Sequence, residues 1–520
     1  MSTSPIRFVA APVADGYLQV STIGGPAGDE AWVLRSMPWL AMALVVCWVA
    51  AGMAFDSAQW GDHFEQFTWA HSVEWGYHKH PPLPTWLLAA AIGVFGPSPV
   101  WPPVLAASCA IGSAGFTFAI ARRLLGPGVA ALALLLWGLQ QPFSARANLL
   151  NHNTVLMLAV SATAWCVLRA LASERRAPGW WLATGVAAGA AMLAKYQAVV
   201  PLAGIVLALA LDGRLADFRV RRGLVCSALV VATFFAPHFA WLVEHRFGTL
   251  DYAMQHGQKL DGPERAWNVV SFLAQQVRLV LPALLFAGLL VLFPGPVARP
   301  ERLGGEATAE QTRRAWLTGL LLFPLLATVA TGPLLGIGLQ NHWGYQALQF
   351  GALWLAWRVR QHAVVAGPAW IGLALLLHAV FLAVTMLPAA NSGGSARIDS
   401  RYPAQALADA VQRDWQDRSI CPLSIVVGPS FEAGLVSVYD GGRALVLEDG
   451  DFAKSPWITP DQLLRMGAAY ISTSASRLPL AGVASVGSID VGSAAPPGRR
   501  RIYWAIVPPE TCAVDAGSGE

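Results

Sequence analysis

One polar segment, residues 61–83, concentrates the side chains that could take part in catalysis. Its sequence is GDHFEQFTWAHSVEWGYHKHPPL. Asp62, Glu65 and Trp69 recur at helical spacing, so one short helix would present two carboxylates and an aromatic ring on a common face. The basic run 78–80, His-Lys-His, comes just before two prolines that block continuation of a helix. The segment therefore predicts carboxylates beside cations.

Carboxylates beside cations suit acid–base chemistry on a phosphate-bearing lipid substrate. A carboxylate can accept a proton from an attacking hydroxyl, while a lysine or a protonated histidine stabilises a phosphate leaving group. Asp62 and Glu65 are therefore the candidate catalytic carboxylates. The alternative is a solvated interfacial loop with aromatic anchors, in which the aspartate only caps a helix.

The composition of the chain is that of a membrane protein. Of its 520 residues, 55% are hydrophobic and 13% are charged, whereas soluble proteins carry about 25% charged residues. A water-soluble enzyme is therefore excluded. The net charge of +4 is too small to indicate nucleic-acid binding, and six cysteines are too few for a disulfide-dense secreted scaffold.

Apolar runs predict an all-α polytopic membrane protein with about eleven spans, some shorter than the roughly 20 residues that a spanning helix needs. The first run is interpreted as a retained anchor and not as a cleaved signal peptide, because no small-residue cleavage site follows it. The runs lie near residues 37–55, 101–121, 128–143, 153–171, 179–194, 197–211, 223–243, 268–294, 315–335, 343–357 and 363–388.

Arginines predict the orientation, because basic residues beside short loops stay on the cytoplasmic side. They cluster near residues 7–35, 122–123, 169–176, 214–222, 299–314 and 358–360, which lie on one side of an eleven-span path. The N-terminus is then cytoplasmic, and the loop 56–100 and the C-terminal region are periplasmic. Within that loop, residues 84–96 predict a helix in the outer interface with Trp86 at headgroup level.

Three parts are expected along the chain: a cytoplasmic segment 1–36, a transmembrane domain 37–390 and a small periplasmic α/β domain 391–520. In the last part, charged residues return and short β-type runs alternate with helix-like stretches. The predicted strands are 423–427, 444–447 and 502–507, and the predicted helix is 403–418. Cys421 and Cys512 fall there, either as a disulfide or as two free thiols, and the other four cysteines are expected to be packing residues.

The polar segment resembles the first outer loop of the polyprenyl-phosphate-dependent glycosyltransferases of the GT-C fold. This group includes family 39 protein mannosyltransferases, lipid A aminoarabinose transferase and rhizobial lipopolysaccharide galacturonosyltransferases. The similarity rests on Gly61-Asp62, on Trp75-Gly76-Tyr77 and on the run 80–83, His-Pro-Pro-Leu, whereas His63 stands where a second acidic residue is usual. The resemblance implies that Asp62 is the catalytic base and that Lys79 or His80 contacts the lipid phosphate. It also implies that Trp75 and Tyr77 line the substrate pocket.

Weaker similarities extend over roughly residues 37–390. The run 193–198, LAKYQA, resembles a family segment and brings Lys195 and Tyr196 to the outer end of a span. A buried lysine there needs an anion, unless it extends to the interface. Asn153 opens a span where many relatives carry Pro-Asp, and it could bind sugar hydroxyls or cap the helix.

Three further segments complete the expected site. Residues 237–245 resemble a family arrangement that contains Trp241 and His245, and residues 340–344, QNHWG, bring His342 and Trp343 to the donor pocket or to the interface as anchors. Arg278 lies within an apolar segment, where a guanidinium needs a partner such as a lipid phosphate.

The sequence has no Walker A motif, dinucleotide fingerprint, zinc-protease motif or Cys-x-x-Cys pair, so nucleotide hydrolysis and cofactor redox chemistry have no support. The sequence indicates no particular cofactor, and it neither indicates nor excludes a bound divalent metal. The expected partners are a polyprenyl-phosphate sugar as donor, membrane lipids, and a glycolipid, polysaccharide or protein as acceptor.

The function predicted from the sequence is therefore an inner-membrane glycosyltransferase that moves a sugar from a polyprenyl phosphate to an acceptor hydroxyl on the periplasmic face. Two rival hypotheses are a multi-span transporter and a flippase of lipid-linked sugars without catalysis. Transporters usually contain repeated halves with broken helices, and no internal repeat is visible here.

Overall fold

The computed structural model describes residues 28–55, 61–173, 175–249, 252, 260–293, 306–360, 368–391, 403–491 and 501–509. Helices dominate as far as residue 391, and a small sheet follows. The helices of this first part are α1 Gly28–Phe55, α2 Gly61–Ala70, α3 Leu83–Phe95, α4 Trp101–Leu125, α5 Pro127–Gly138, α6 His152–Leu171, α7 Ala177–Ala194, α8 Val199–Leu211, α9 Phe218–Glu244, α10 Gly262–Leu292, α11 Glu306–Leu317, α12 Phe323–Leu335, α13 Tyr345–Val359 and α14 Pro368–Asn391.

Each predicted apolar run overlaps one of these helices or the consecutive pair α11 and α12, which a π-helical turn at Thr318–Leu322 joins. The run 128–143 is longer than α5, which ends at Gly138, and residues 363–367 of the last run lie outside the described residues. Within the described residues, six helices are long and apolar enough to cross a membrane, namely α1, α4, α6, α9, α10 and the joined α11–α12. The protein is a multi-pass membrane protein, as predicted. Helix α6 packs between α4 and α7, and α7 packs in turn against α9.

The predicted interfacial helix is α3, which begins after Pro82 and ends at Gly96. The Trp86 indole nitrogen donates a hydrogen bond to the Glu74 carbonyl at 2.8 Å, and its ring packs edge-to-face against Trp75 at 5.1 Å. This helix is therefore tied to the polar segment that precedes it.

The C-terminal part forms a mixed five-stranded sheet, as the predicted α/β domain requires. The strand order is β2-β1-β3-β5-β4, with β1 parallel to β2 and β3, and β5 antiparallel to β3 and β4. Its elements are α15 Ala404–Gln416, β1 Ile425–Gly428, α16 Ser430–Tyr439, β2 Leu445–Glu448, α17 Pro460–Met466, β3 Ala468–Ser472, β4 Ser485–Asp490 and β5 Arg501–Val507. The domain limits expected at residues 36 and 390 stay a prediction.

Cys421 is disulfide-bonded, and the free cysteines among the described residues are Cys47, Cys109, Cys166 and Cys226. Cys512 lies outside the described residues.

The sheet domain docks onto the polar segment through α16, which packs against α2. Phe431 of α16 meets Phe64 of α2 edge-to-face at 5.4 Å. A side chain at Gly434 would lie 2.9 Å from the Phe64 carbonyl oxygen, so glycine permits this close approach. Phe64 is fully buried. The helix that carries the two predicted catalytic carboxylates therefore lies between the membrane bundle and the C-terminal domain.

A glycine pair sets the closest crossing in the bundle. A Cβ atom at Gly204 in α8 would lie 2.1 Å from the carbonyl oxygen of Gly319 in the π-helical turn. Small residues at such crossings let two backbones pack directly, which is a main source of helix association in lipid.

We expect Gly204→Ala to destabilise the protein by about 1–3 kcal/mol, because the added methyl group overlaps backbone that has no room to move. Gly288→Ala in α10 is the matched control, since its Cβ would meet nothing within 4 Å. Thermal unfolding in detergent measures both variants. Equal unfolding temperatures for the two variants would contradict the predicted crossing.

Candidate active site

Asp62 lies in the first turn of α2, where the helix dipole favours a negative charge. Its side chain is exposed, and Asn151 Nδ2 donates a hydrogen bond to its Oδ2 at 2.9 Å. The Oδ1 atom of Asn151 accepts from the backbone nitrogens of Asn153 and Thr154 at 2.9 and 3.2 Å, which caps α6. Asn151 thus fixes the carboxylate against the start of a buried helix.

Lys195 meets the same end of α6 from α7, which ends at Ala194. Its Nζ donates to Asn153 Oδ1 at 2.7 Å, and the side chain is buried. Burial lowers the pKa of Lys195 to about 7, opposed by the nearby negative charge of Asp62. Among the described residues, the ammonium group has a neutral amide as its hydrogen-bond partner, so it can still bind an anion.

Lys79 has different surroundings. It pairs with Glu65 of α2, and its Nζ also lies 3.3 Å from Oε1 of Glu448, at the end of β2. Glu448 is buried, and the His78 ring lies 3.7 Å from the same oxygen. Two carboxylates therefore offset the charge of Lys79, which joins the polar segment to the sheet domain.

Of the other histidines of the polar segment, His63 is fully buried, whereas His71 and His80 are half-buried. Burial and neighbouring positive groups hold the pKa of His80 well below its usual range, so this ring is neutral. It packs on His152 with ring centroids 3.9 Å apart. His63 Nε2 accepts from the Leu150 backbone nitrogen at 3.0 Å, and burial lowers its pKa to about 3. These contacts pack part of the segment against the rest of the protein, whereas Asp62, Val73 and Trp75 are exposed.

Trp75, Tyr77, Tyr196 and His245 surround the end of α9. The Tyr196 hydroxyl lies 2.9 Å from His238 Nε2, and His238 Nδ1 contacts the Trp75 carbonyl oxygen at 2.5 Å. The Tyr77 ring stacks on Trp69 at 5.1 Å, and His245 stacks on Trp241 at 4.1 Å. One histidine of α9 thus joins Tyr196 to Trp75.

His342 and Trp343 lie in a 3₁₀ turn that precedes α13. Gln197 Nε2 donates to the Trp343 carbonyl at 3.0 Å. Burial, together with the positive charges of Lys195 and Arg146, lowers the pKa of His342 to about 3. This ring is therefore neutral and lies close to two cations.

Arg146 and Tyr345 are residues that the sequence interpretation missed. Arg146 Nη1 donates to the Tyr345 hydroxyl at 2.9 Å. Arg278 is exposed on α10, where its Nε donates to Gln275 Oε1 at 2.6 Å. Arg146 could have been found as a basic residue in a loop that the arginine pattern predicts to be outer and that is otherwise poor in cations. No feature of the neighbouring sequence indicated a role for Glu448, which reaches the site because it lies at the end of the parallel strand β2.

Within the described ranges, no group of three or more His, Cys, Asp or Glu side chains is arranged to hold a metal ion.

Comparison with known proteins bears on the fold. The family described as dolichyl-phosphate-mannose-protein mannosyltransferase matches residues 79–241. The crystal structure of ArnT from Cupriavidus metallidurans bound to undecaprenyl phosphate matches with a TM-score of 0.57 at 16% identity, over 92% of this chain and 98% of that chain. Its apo state matches with a TM-score of 0.53 at 18% identity, over the same shares of the two chains. The protein has the GT-C fold.

The GT-C chain is also similar to the lipid A galacturonosyltransferase RgtD of Rhizobium johnstonii, strain DSM 114642 / LMG 32736 / 3841. The two are 23% identical over 316 residues, which is 60% of this chain and 63% of that relative. The match thus spans less than two thirds of the relative's length. These matches confirm the predicted resemblance to the GT-C glycosyltransferases.

The segment matched by the mannosyltransferase family begins at Lys79 and contains Asn151 and Lys195. Asp62 and Glu65 precede it, whereas Arg278, His342 and Tyr345 follow it. The GT-C fold brings these separate segments together at the end of the bundle that faces the sheet domain.

The ionisation of Glu65 should make the stability of the fold depend on pH. Burial raises its pKa to about 7, opposed by the Lys79 ammonium. Because the pKa is higher in the folded state than in the unfolded state, the protonated carboxyl stabilises the fold below about pH 4.5, and this stability is lost as the pH rises through about 7. We expect the unfolding temperature in detergent to fall between about pH 5 and pH 7.5.

Glu65→Gln should remove most of this fall, because the amide cannot ionise. Glu74→Gln is the control, since this carboxylate belongs to the same segment and accepts its hydrogen bond from the neutral hydroxyl of Ser72. A fall of the same size in the Glu65→Gln variant and in the wild type would contradict the assignment.

Proposed function

We propose that this GT-C protein is a glycosyltransferase that moves a sugar from a polyprenyl phosphate to an acceptor hydroxyl at the periplasmic face of a bacterial inner membrane. The observation that carries the proposal is the meeting of Asp62 and Lys195 at the N-terminus of α6, through Asn151 and Asn153. A carboxylate and a buried cation with a neutral partner are what a base and a phosphate site require.

Asp62 is the proposed base. Asn151 holds Oδ2, and the exposed carboxylate can use its other oxygen to accept the proton of the acceptor hydroxyl. The acceptor oxygen forms a bond to the anomeric carbon while the bond from that carbon to the phosphate oxygen breaks. The electron pair leaves with the phosphate, and attack from the opposite face inverts the anomeric centre.

Lys195, Arg146 and Arg278 are the proposed phosphate ligands. Lys79 was expected in this role, but two carboxylates already offset its charge. His80 was expected there too, and its neutral ring supplies no positive charge. We therefore assign the leaving phosphate to Lys195 and Arg146, whose charges act on His342, and to Arg278. To Lys79 we assign the task of holding α2 against the sheet domain.

The proposed donor class draws support from ArnT, whose structure contains undecaprenyl phosphate. The proposed acceptor is a glycolipid, by similarity to a lipid A galacturonosyltransferase. The periplasmic placement draws support from the arginine-rich helix ends, which lie opposite the ends that carry the site. In this orientation, a lipid-linked donor and a polar acceptor can meet at headgroup depth.

We expect Asp62→Asn to lower sugar transfer by about 10²–10⁴-fold, the usual contribution of a general base. The amide keeps the size of the side chain, so expression and undecaprenyl-phosphate binding should stay unchanged. Transfer is measured by mass spectrometry of glycolipids from cells that carry each variant. Glu74→Gln should transfer at the wild-type rate, and unchanged transfer by Asp62→Asn would remove this residue from the mechanism.

We expect Lys195→Gln to weaken undecaprenyl-phosphate binding by about 10–100-fold, because hydrogen bonds to charged groups contribute about 1.5–3 kcal/mol. Native mass spectrometry of the purified protein measures the binding. Arg314→Gln is the control, since that side chain pairs with Glu310 at the opposite end of the bundle. Equal affinity of the wild type and Lys195→Gln would refute the phosphate assignment.

A further inference from the structure

A cavity, which we call the junction cavity, lies where the polar segment, the end of α9 and the sheet domain meet. Its volume is about 410 Å³, and its lining includes Tyr77, Trp241, Arg246, Lys454 and Trp457. None of Asp62, Asn151 or Lys195 lines it. The junction cavity is therefore separate from the cluster to which the base and the phosphate are assigned.

Aromatic rings form much of its wall, and their positions are fixed. Trp241 packs so closely on Gly76 that a Cβ atom there would lie 2.4 Å from the ring. The indole has a second ring neighbour, since His245 stacks on it at 4.1 Å. Tyr77 and Trp457 meet edge-to-face at 6.5 Å. Rigid aromatic surfaces with polar groups between them are typical of ligand sites.

Among the described residues, the positively and negatively charged side chains that line the junction cavity are equal in number. Arg246 and Lys454 line it together with Glu244 and Asp451. Lys454 is already paired with Asp449 at 2.6 Å. A phosphate or carboxylate would therefore lie beside carboxylates with little uncompensated positive charge to bind it. A neutral ligand fits better, especially one whose groups both donate and accept hydrogen bonds, as sugar hydroxyls do.

Two further features mark the cavity wall. Arg246 and Phe247 adopt left-handed backbone conformations with φ of 51° and 58°, and such strain in non-glycine residues concentrates at functional sites. The turn after α9 brings Arg246 and Thr249 to the cavity, where Thr249 donates to the Tyr77 carbonyl at 3.1 Å. The Trp457 indole nitrogen is buried and has no hydrogen-bond partner within the described part of the chain.

We propose that the junction cavity binds an uncharged sugar residue of the acceptor glycan, with the ring of Trp457 as one of its aromatic walls. This inference rests on the proposed glycosyl transfer, and it assigns a binding site to the acceptor of that reaction. The phosphate of the donor stays with Lys195, and the junction cavity holds a neutral part of the acceptor while another hydroxyl of that molecule reaches Asp62.

Binding is tested without catalysis, on the full chain in detergent. Saturation-transfer NMR uses methyl hexosides as the neutral probe, with a hexuronic acid and inorganic phosphate as anionic probes. We expect transfer to the methyl hexosides in the wild type and in Asp62→Asn, and loss of most of that signal in Trp457→Ala. Trp457→Phe should keep most of that signal, because an aromatic ring stays in the cavity wall.

Trp267→Ala is the matched control, since Trp267 is 72% exposed on α10 and does not line the junction cavity. Equal hexoside signals in the wild type and Trp457→Ala would overturn the proposal, and so would a signal for the anionic probes alone. Because Asp62→Asn is measured in the same series, the two proposals can fail separately. Sugar transfer that survives in Asp62→Asn contradicts the base assignment and leaves the binding result intact.

Discussion

One side-chain amide, that of Asn151, connects the fold to the chemistry. Its oxygen accepts the backbone hydrogen bonds that begin α6, and its nitrogen donates to Asp62. An aspartate at this position could cap the helix, but it would have no proton for Asp62 and would add a second negative charge beside it. An asparagine can do both tasks at once. The placement of the proposed base therefore depends on the start of the most buried of the six long apolar helices.

Two lysines show how partners decide what a buried cation can do. Lys79 lies between Glu65 and Glu448, so the cost of burying its charge is offset within the protein. Lys195 is buried with the neutral amide oxygen of Asn153 as its hydrogen-bond partner. The first lysine can hold two parts of the chain together but attracts anions weakly. The second has its charge available for an incoming phosphate, which would also restore its ordinary pKa.

Hydropathy was enough to predict the apolar helices, a helix at the position of α3 and the C-terminal α/β domain. The segment 61–83 could be recognised because its polar residues interrupt an apolar chain. Glu448 and Tyr345 could not be found in this way, because they meet Lys79 and Arg146 across 369 and 199 residues of sequence. His80 was expected to be a phosphate ligand, but its protonation depends on burial and on nearby cations, which sequence spacing does not reveal.

The proposed reaction needs two kinds of surroundings, because its donor carries a phosphate whereas the sugar residue assigned to the junction cavity is uncharged. A cation with a neutral partner, such as Lys195, suits the phosphate, and Lys195 and Arg146 lie around the N-termini of α6 and α13. The junction cavity has balanced charges and aromatic walls, which suit a sugar. Residues 76–78 line the cavity, and the next residue, Lys79, binds Glu65 on the helix that carries Asp62. One short segment thus joins the proposed site of the neutral substrate to the helix of the proposed base.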